Sequence, residues 1–304
     1  MTNSLLSRRQ FLGASTAALL AARLAPLAAA EAAAPPDIRF FDALTEFGPR
    51  PAKPARQRWR LDDRRGEMRH CSISGALVSY TQSTEYDPLW GNLELSRQLA
   101  GQPGLFAVWN VMPAAGDEFP EPARLAALLR EHNVRAVALH PASNAWNLRA
   151  DSSAPLLTWL AREKILTRIS QAELSDFDEL AWLLKAHPDL PVLLTGATWS
   201  QPRFALPLLT NHRNLHITFD SFQIFNGLEW LVEAGCEDQL LFGSNAPMMS
   251  MGAHRACLDY SEVSLVVKRK VAGGNLTRLL RGQAPSRLES NANEDALMRA
   301  VRLV

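Results

Sequence analysis

The chain has 304 residues, of which 47% are hydrophobic and 21% charged, an ordinary globular composition ample for one large core. Formal net charge is +1. Setting aside the first thirty residues, with Arg8, Arg9, Arg23 and no acid, leaves 29 basic against 31 acidic residues, a net −2; this balance argues against nucleic acid and against a charged membrane surface as partners.

Residues 1–30 carry the pattern of an export signal. Ser7-Arg8-Arg9-Gln10-Phe11-Leu12 matches the twin-arginine pattern, an alanine- and leucine-rich run follows, and Ala28-Ala29-Ala30 supplies a small-residue cleavage site before Glu31. An amphipathic helix or membrane anchor is the competing reading, but Arg23 interrupts the run and it is short for a span. The expectation is a periplasmic protein exported by the twin-arginine route, with no membrane partner once the signal is cleaved. Residues 31–36, mostly alanine and proline, form a linker.

Strand candidates in the mature chain are Ile38–Leu44, Ser72–Tyr80, Leu105–Val111, Val134–His140, Ile165–Ile169, Leu190–Thr195, Leu215–Asp220 and Gln239–Asn245. Most are short and rich in Val, Ile, Leu or Phe, as strands buried on both faces should be. Between them Ala123–Glu131, Ala154–Glu163, Leu174–Ala186, Arg203–Asn211, Phe225–Ala234 and Tyr260–Lys270 carry apolar residues at helical spacing. Strand and helix alternating eight times predicts an α/β protein, a single (β/α)8 TIM barrel over residues 37–281. An open doubly wound sheet would want a glycine-rich phosphate turn after an early strand, and the sequence has none. Pro51 to Asp63 reads as a long basic segment at the barrel mouth or on the surface. Residues 282–304 are a peripheral tail with a helical stretch at Asn293–Val301. Cys71, Cys236 and Cys257 have no metal-like spacing, which leaves room for one disulfide but no framework.

The stretch Gln239-Leu240-Leu241-Phe242-Gly243-Ser244-Asn245-Ala246-Pro247 resembles the last strand of the amidohydrolase-related family, the metal-dependent TIM-barrel hydrolases and decarboxylases. There leucine, phenylalanine and glycine are commonly followed by serine or threonine, aspartate and, two positions on, proline. Gly273-Gly274-Asn275-Leu276-Thr277-Arg278-Leu279-Leu280 is similar to the family's closing motif, a glycine-asparagine pair that begins a last helix packed on the barrel. The resemblance implies a metal held by a His-x-His pair on the first strand, histidines on the fifth and sixth, and the eighth-strand aspartate. Here those positions hold Leu44 and Glu46, Arg168, Thr195 or Gly196, and Asn245. Leucine cannot ligate, a guanidinium repels a cation, and an amide poorly replaces an anionic ligand. The expectation is therefore no tightly bound metal and no other cofactor. An unforeseen set such as Glu46, His140 and Asp220 stays open.

His140 ends the fourth strand in Ala136-Val137-Ala138-Leu139-His140-Pro141, and strand ends are where barrel enzymes place their chemistry. His140 and Glu46 are the candidates for proton transfer. Asn245 would hydrogen-bond from the old aspartate position, and Arg168 would clamp an anionic group or pair with Glu46. Asp42 is expected to share a face with Glu46 by period two. Asn110, Trp146 and Trp199 are further candidates for substrate binding, with Trp109 and Phe222 beside them. His254 follows the eighth strand, where it either lines the mouth or belongs to simple loop structure. No Gly-x-Ser-x-Gly, Ser-x-x-Lys or cysteine–histidine nucleophile is present. The expectation is an amidohydrolase-like hydrolase or lyase acting on a small organic, carboxylated substrate with a degenerate metal site. The alternative is a non-catalytic barrel that binds a small molecule or a protein partner. A homo-oligomer stays open.

Overall fold

The computed structural model describes residues 38–50, 59–198, 200–222 and 224–283. The expected export signal, linker and tail helix, part of the 51–63 segment, and Trp199 lie outside them.

Eight strands form one parallel sheet in sequential order. They are β1 (Phe40–Phe47), β2 (Ile73–Tyr80), β3 (Leu105–Val111), β4 (Ala136–Leu139), β5 (Leu166–Ser170), β6 (Val192–Thr195), β7 (Leu215–Thr218) and β8 (Leu240–Leu241). The sheet closes on itself. Ala43 N donates to Phe242 O at 2.9 Å, Asn245 N to Leu44 O at 2.8 Å and Glu46 N to Ala246 O at 2.9 Å, and Thr45 bridges Ala246 in parallel. The helices are α1 (Leu61–His70), α2 (Gln82–Glu85), α3 (Pro88–Leu99), α4 (Pro122–Glu131), α5 (Ala154–Arg162), α6 (Phe177–Ala186), α7 (Pro202–Asn211), α8 (Gly227–Glu233), α9 (Met251–Asp259), α10 (Leu265–Arg269) and α11 (Asn275–Arg281). This is a (β/α)8 barrel, as the alternation predicts.

Four helices went unanticipated, α1, α2, α3 and α9. The helix α1 reads LDDRRGEMRH, with Arg64 and Met68 as its buried residues, so its apolar periodicity is too thin to register. The α2–α3 pair does carry a start signal: Asp87 accepts from Trp90 N at 2.7 Å, with Pro88 in the first turn. The expected helix Tyr260–Lys270 starts only at Leu265, as α10 capped by Ser264, while Tyr260 sits at the C-terminal end of the preceding α9. No cysteine is paired.

The lumen is filled by Phe41, Ala43, Leu77, Phe106, Val108, Ala136, Ala138, Leu166, Leu193 and Leu241. The α11 residues Leu276 and Leu280 join this cluster, and Asn275 fixes that helix by donating to Glu237 O and Leu240 O at 2.7 and 2.9 Å. The larger core lies between strands and helices and holds Phe40, Trp109, Phe222 and Phe242.

Two irregularities shape the mouth. In β1, Asp42 pairs with Ala76 while Thr45 pairs with Val78, so β1 carries one extra residue, a bulge. The alternation expected to put Asp42 and Glu46 on one face is broken there. Glu46 pairs with Ser79 toward the lumen, whereas Asp42 lies beside Ala76 of the outer core. In β8 the ladder ends at Leu241 because the chain turns to meet β1. A Cβ at Gly243 would sit 2.5 Å from Thr218 Cγ2 and 3.1 Å from Leu44 Cβ, so only glycine allows this approach.

Asp42 fastens the closing strands and is fully buried. Its Oδ1 accepts Leu44 N at 3.0 Å and Ser244 N at 2.9 Å, and its Oδ2 accepts the Ser244 hydroxyl. Burial pushes the carboxyl up to about 6, against the lowering effect of these donors and of His254. The folded chain thus holds the proton more tightly than the unfolded chain, whose value is near 3.8. The resulting stabilisation is full below 3.8 and is lost as pH rises through about 6. Across that interval it amounts to roughly 3 kcal/mol. Thermal melts from pH 3.5 to 7 should therefore show a stability decline in wild type that Asp42→Asn flattens. Ser244→Ala, which strips a donor from a buried carboxylate, should cost about 1–3 kcal/mol by denaturant titration.

Candidate active site

The C-terminal strand ends bring Glu46, His140, Arg168 and Asn245 toward one mouth. Arg168 stands on β5, in register with Ala138 on one side and Leu193 on the other, both lumen residues. It is 8% exposed. Its Nη2 reaches across the lumen to donate to Ser79 Oγ on β2, and its Nη1 is buried with no hydrogen-bond partner. Burial lowers the guanidinium from its ordinary value, while Glu46, Asp42 and Asp220 raise it. A buried cation is tolerable only among such opposite charges.

Glu46 is 23% exposed and pairs with Arg50, Oε1 to Nη2 at 3.2 Å, while Arg50 Nε lies 3.2 Å from Glu85 Oε1. Burial raises the Glu46 carboxyl and Glu85 adds to this; Arg50, Arg168 and His140 pull it down. The net direction is upward, which suits a group that carries a proton.

His140 follows β4, one alternation above Ala138. Its Nδ1 lies 3.2 Å from Glu173 Oε1, and its side chain is 19% exposed. Glu173 comes from the short 3-10 turn Gln171–Glu173 after β5. It also accepts from Ser143 N at 3.0 Å and Ser143 Oγ at 2.6 Å. Burial alone would raise this carboxyl, but His140 and the two Ser143 donors together hold it down at about 2. Glu173 and Ser143 escaped the sequence reading because each sits in a loop with no motif around it.

Asn245 adopts a left-handed backbone, φ 51°, which asparagine tolerates. Its Nδ2 donates to Asp220 Oδ2 at 3.1 Å, leaving Oδ1 as an acceptor. Asp220 is fully buried and also accepts from Thr218 Oγ1 and Ser221 Oγ at 2.6 and 3.0 Å. His254 does not line the mouth. It is 3% exposed, with its ring nitrogens 3.0 Å from Ser250 O and 2.6 Å from Asp220 O.

Other expected contacts fall elsewhere. Asp42 is sealed in the β1–β8 clamp and cannot touch a substrate. Asn110 is buried in a structural network: its Nδ2 donates to Ser83 O and Asn144 Oδ1, and Asn92 brackets its backbone. Only its Oδ1 is without a partner. Trp146 packs against the outer core. Trp109 is wholly buried there, donating to Ser96 Oγ at 2.9 Å, and Phe222 joins the same core. The strand alternation that sends Asn110 inward sends its neighbour Trp109 outward.

The donor set does not fit a divalent metal. Glu46 is already engaged by Arg50, Asp220 accepts from Thr218, Ser221 and Asn245, Glu173 is held by Ser143 beside His140, and the fifth-strand position is filled by a donor-only cation. Among the described residues no three His, Cys, Asp or Glu side chains converge to hold an ion.

The sequence profile of the family described as Amidohydrolase matches residues 42–282. No curated protein matches the chain. Solved barrels resemble it in fold. A 5-carboxyvanillate decarboxylase from Sphingomonas paucimobilis is 14% identical with a TM-score of 0.61, over 80% of this chain and 99% of that one. A 5-carboxyvanillate decarboxylase from Novosphingobium aromaticivorans, with bound manganese, is 13% identical with a TM-score of 0.65, over 81% and 97%. A 2,6-dihydroxybenzoate decarboxylase from Rhizobium is 13% identical with a TM-score of 0.60, over 80% and 99%.

Protein purified without added metal and dialysed against chelator is expected to contain far less than one equivalent of transition metal by elemental mass spectrometry. Its melting temperature should not change when manganese or zinc is returned.

Proposed function

The chain belongs to the amidohydrolase family, and on that premise we propose that it is a hydrolase or lyase acting on a small organic carboxylate without a tightly held metal. The observation that carries this reading is the buried, unpartnered Nη1 of Arg168 inside the lumen. An unsatisfied charged donor is costly to keep, and a ligand carboxylate would satisfy it in the manner guanidinium is shaped for. The solved decarboxylases with this fold take carboxylated aromatic substrates by their names, which supports the substrate class.

In this scheme Arg168 holds the carboxylate as a handle, with Ser79 fixing the guanidinium. The unprotonated ring nitrogen of His140 takes a proton from water or from the substrate and returns it to the leaving group. Glu46, with its raised carboxyl, is the second proton carrier. Asn245 Oδ1 orients a hydroxyl or N–H of the ligand. Tight ground-state binding of the carboxylate by Arg168 opposes loss of that same group. Chemistry at a second position, such as an ester, lactone or amide bond, is therefore favoured over its decarboxylation.

A second reading, a binding barrel without turnover, is favoured by the replacement of the family's ligands at Leu44, Arg168 and Asn245. The two separate in one screen. Thermal-shift panels of small carboxylates should give hits in wild type, and Arg168→Met should weaken the best by about tenfold to a hundredfold, the worth of a charged hydrogen bond. Hydrolysis or carbon–carbon cleavage of any hit that is lost in His140→Asn supports catalysis; binding with no turnover across esters, lactones and amides supports the second reading. The proposed periplasmic location rests on Arg8-Arg9. Replacing both with lysine should leave the precursor in the cytoplasmic fraction, as read by immunoblot.

A further inference from the structure

We propose that Glu173 is the positioning residue for His140, fixing the ring with its proton on Nδ1 so that Nε2 is the nitrogen that faces the ligand. This deepens the reading of His140 as proton carrier and rests on it for its purpose, but the geometry is independent of any substrate.

A carboxylate has only acceptors, so the atom facing it must be a donor. Glu173 Oε1 receives Ser143 Oγ at 2.6 Å and lies 3.2 Å from His140 Nδ1, while Oε2 receives Ser143 N at 3.0 Å. The Ser143 backbone N–H can only donate and holds Oε2, while its hydroxyl donates to Oε1, the oxygen that also faces the ring. The donors from His140 and Ser143 hold the carboxyl down, and an ionised carboxylate has no proton to give in that contact. Nδ1 must supply it. The lone pair of the neutral ring is then on Nε2, which has no protein partner among the described residues.

The backbone on both sides holds this arrangement. Asn144 N donates to His140 O at 2.8 Å and Trp146 N to Pro141 O at 2.9 Å, folding the loop that carries Ser143. Ser170 Oγ accepts Ala172 N at 3.3 Å, turning the chain after β5 so that Glu173 points back at β4. The strand that supplies the buried guanidinium thus also supplies the group that aims the base. When Nε2 takes a proton, the resulting imidazolium remains against an anion, which lowers the cost of the charge.

The test is the tautomer of His140 in the full mature chain. Uniformly ¹⁵N-histidine-labelled protein, with His140→Asn to assign the signals, is measured by long-range ¹H–¹⁵N correlation at a pH where the ring is neutral. The expected pattern is a protonated Nδ1 and an unprotonated Nε2. Glu173→Gln, whose amide can donate to Nδ1, should replace it with the Nε2–H tautomer, and Ser143→Ala should leave the tautomer unchanged while broadening the signal. Carbethoxylation of His140 by diethylpyrocarbonate, followed by mass spectrometry, should be lost in Glu173→Gln and retained in Ser143→Ala. An Nε2–H tautomer in wild type overturns the proposal, as does a Glu173→Gln protein that keeps both the wild-type tautomer and its carbethoxylation. Either outcome leaves carboxylate binding at Arg168 intact, so the two readings fail separately. Should Glu173→Gln not fold, the wild-type tautomer decides alone.

Discussion

A permanent positive charge in a lumen otherwise lined with leucine, phenylalanine, valine and alanine constrains everything around it. Arg168 cannot shed its proton to escape burial, so its neighbours must compensate. Ser79 takes one arm, and Glu46, Asp42 and Asp220 surround it with negative potential from β1 and β7. One arm remains without a partner. A covalently attached cation of fixed fork geometry thus stands inside the lumen. A guanidinium orients planar anions through two parallel hydrogen bonds but supplies no activated water. At the same mouth Glu46 and His140 each have a polar partner, Arg50 for the first and Glu173 for the second.

Closure of the barrel makes that geometry possible. The β1 bulge turns Glu46 inward while leaving Asp42 to tie β1 to Ser244. The bare Gly243 lets Thr218 and Leu44 meet across the last gap. Without the bulge, Asp42 and Glu46 would both face one side, and either the clamp or the site would be missing. The same residue insertion therefore serves stability and function, through opposite faces of one strand. Asn245 depends on this too: its left-handed turn follows directly from the clamp and sets its amide against Asp220.

The candidate residues that come together at the mouth lie at strand ends on the lumen side, where alternation of small apolar residues marks the inward face. Ala138 predicts His140, Leu166 predicts Arg168, and Leu241 predicts Gly243 and Asn245. The aromatic candidates were misplaced for the same reason: Trp109 neighbours an inward residue and so must point outward. Glu173, Ser143 and Ser79 were invisible because their roles depend on partners 33, 30 and 89 residues distant in the chain, and no local pattern records such contacts.

The sequence by itself determined the barrel, because eight buried strands read as apolar runs, and it set the chemistry at the strand ends, where leucine and arginine cannot ligate and asparagine poorly replaces an anionic ligand. Only the tertiary structure decided which polar groups converge. One extra residue in β1 reverses the facing of Asp42 relative to Glu46, and the crossing of the lumen by Arg168 is set by the width of the closed barrel rather than by any spacing along the chain.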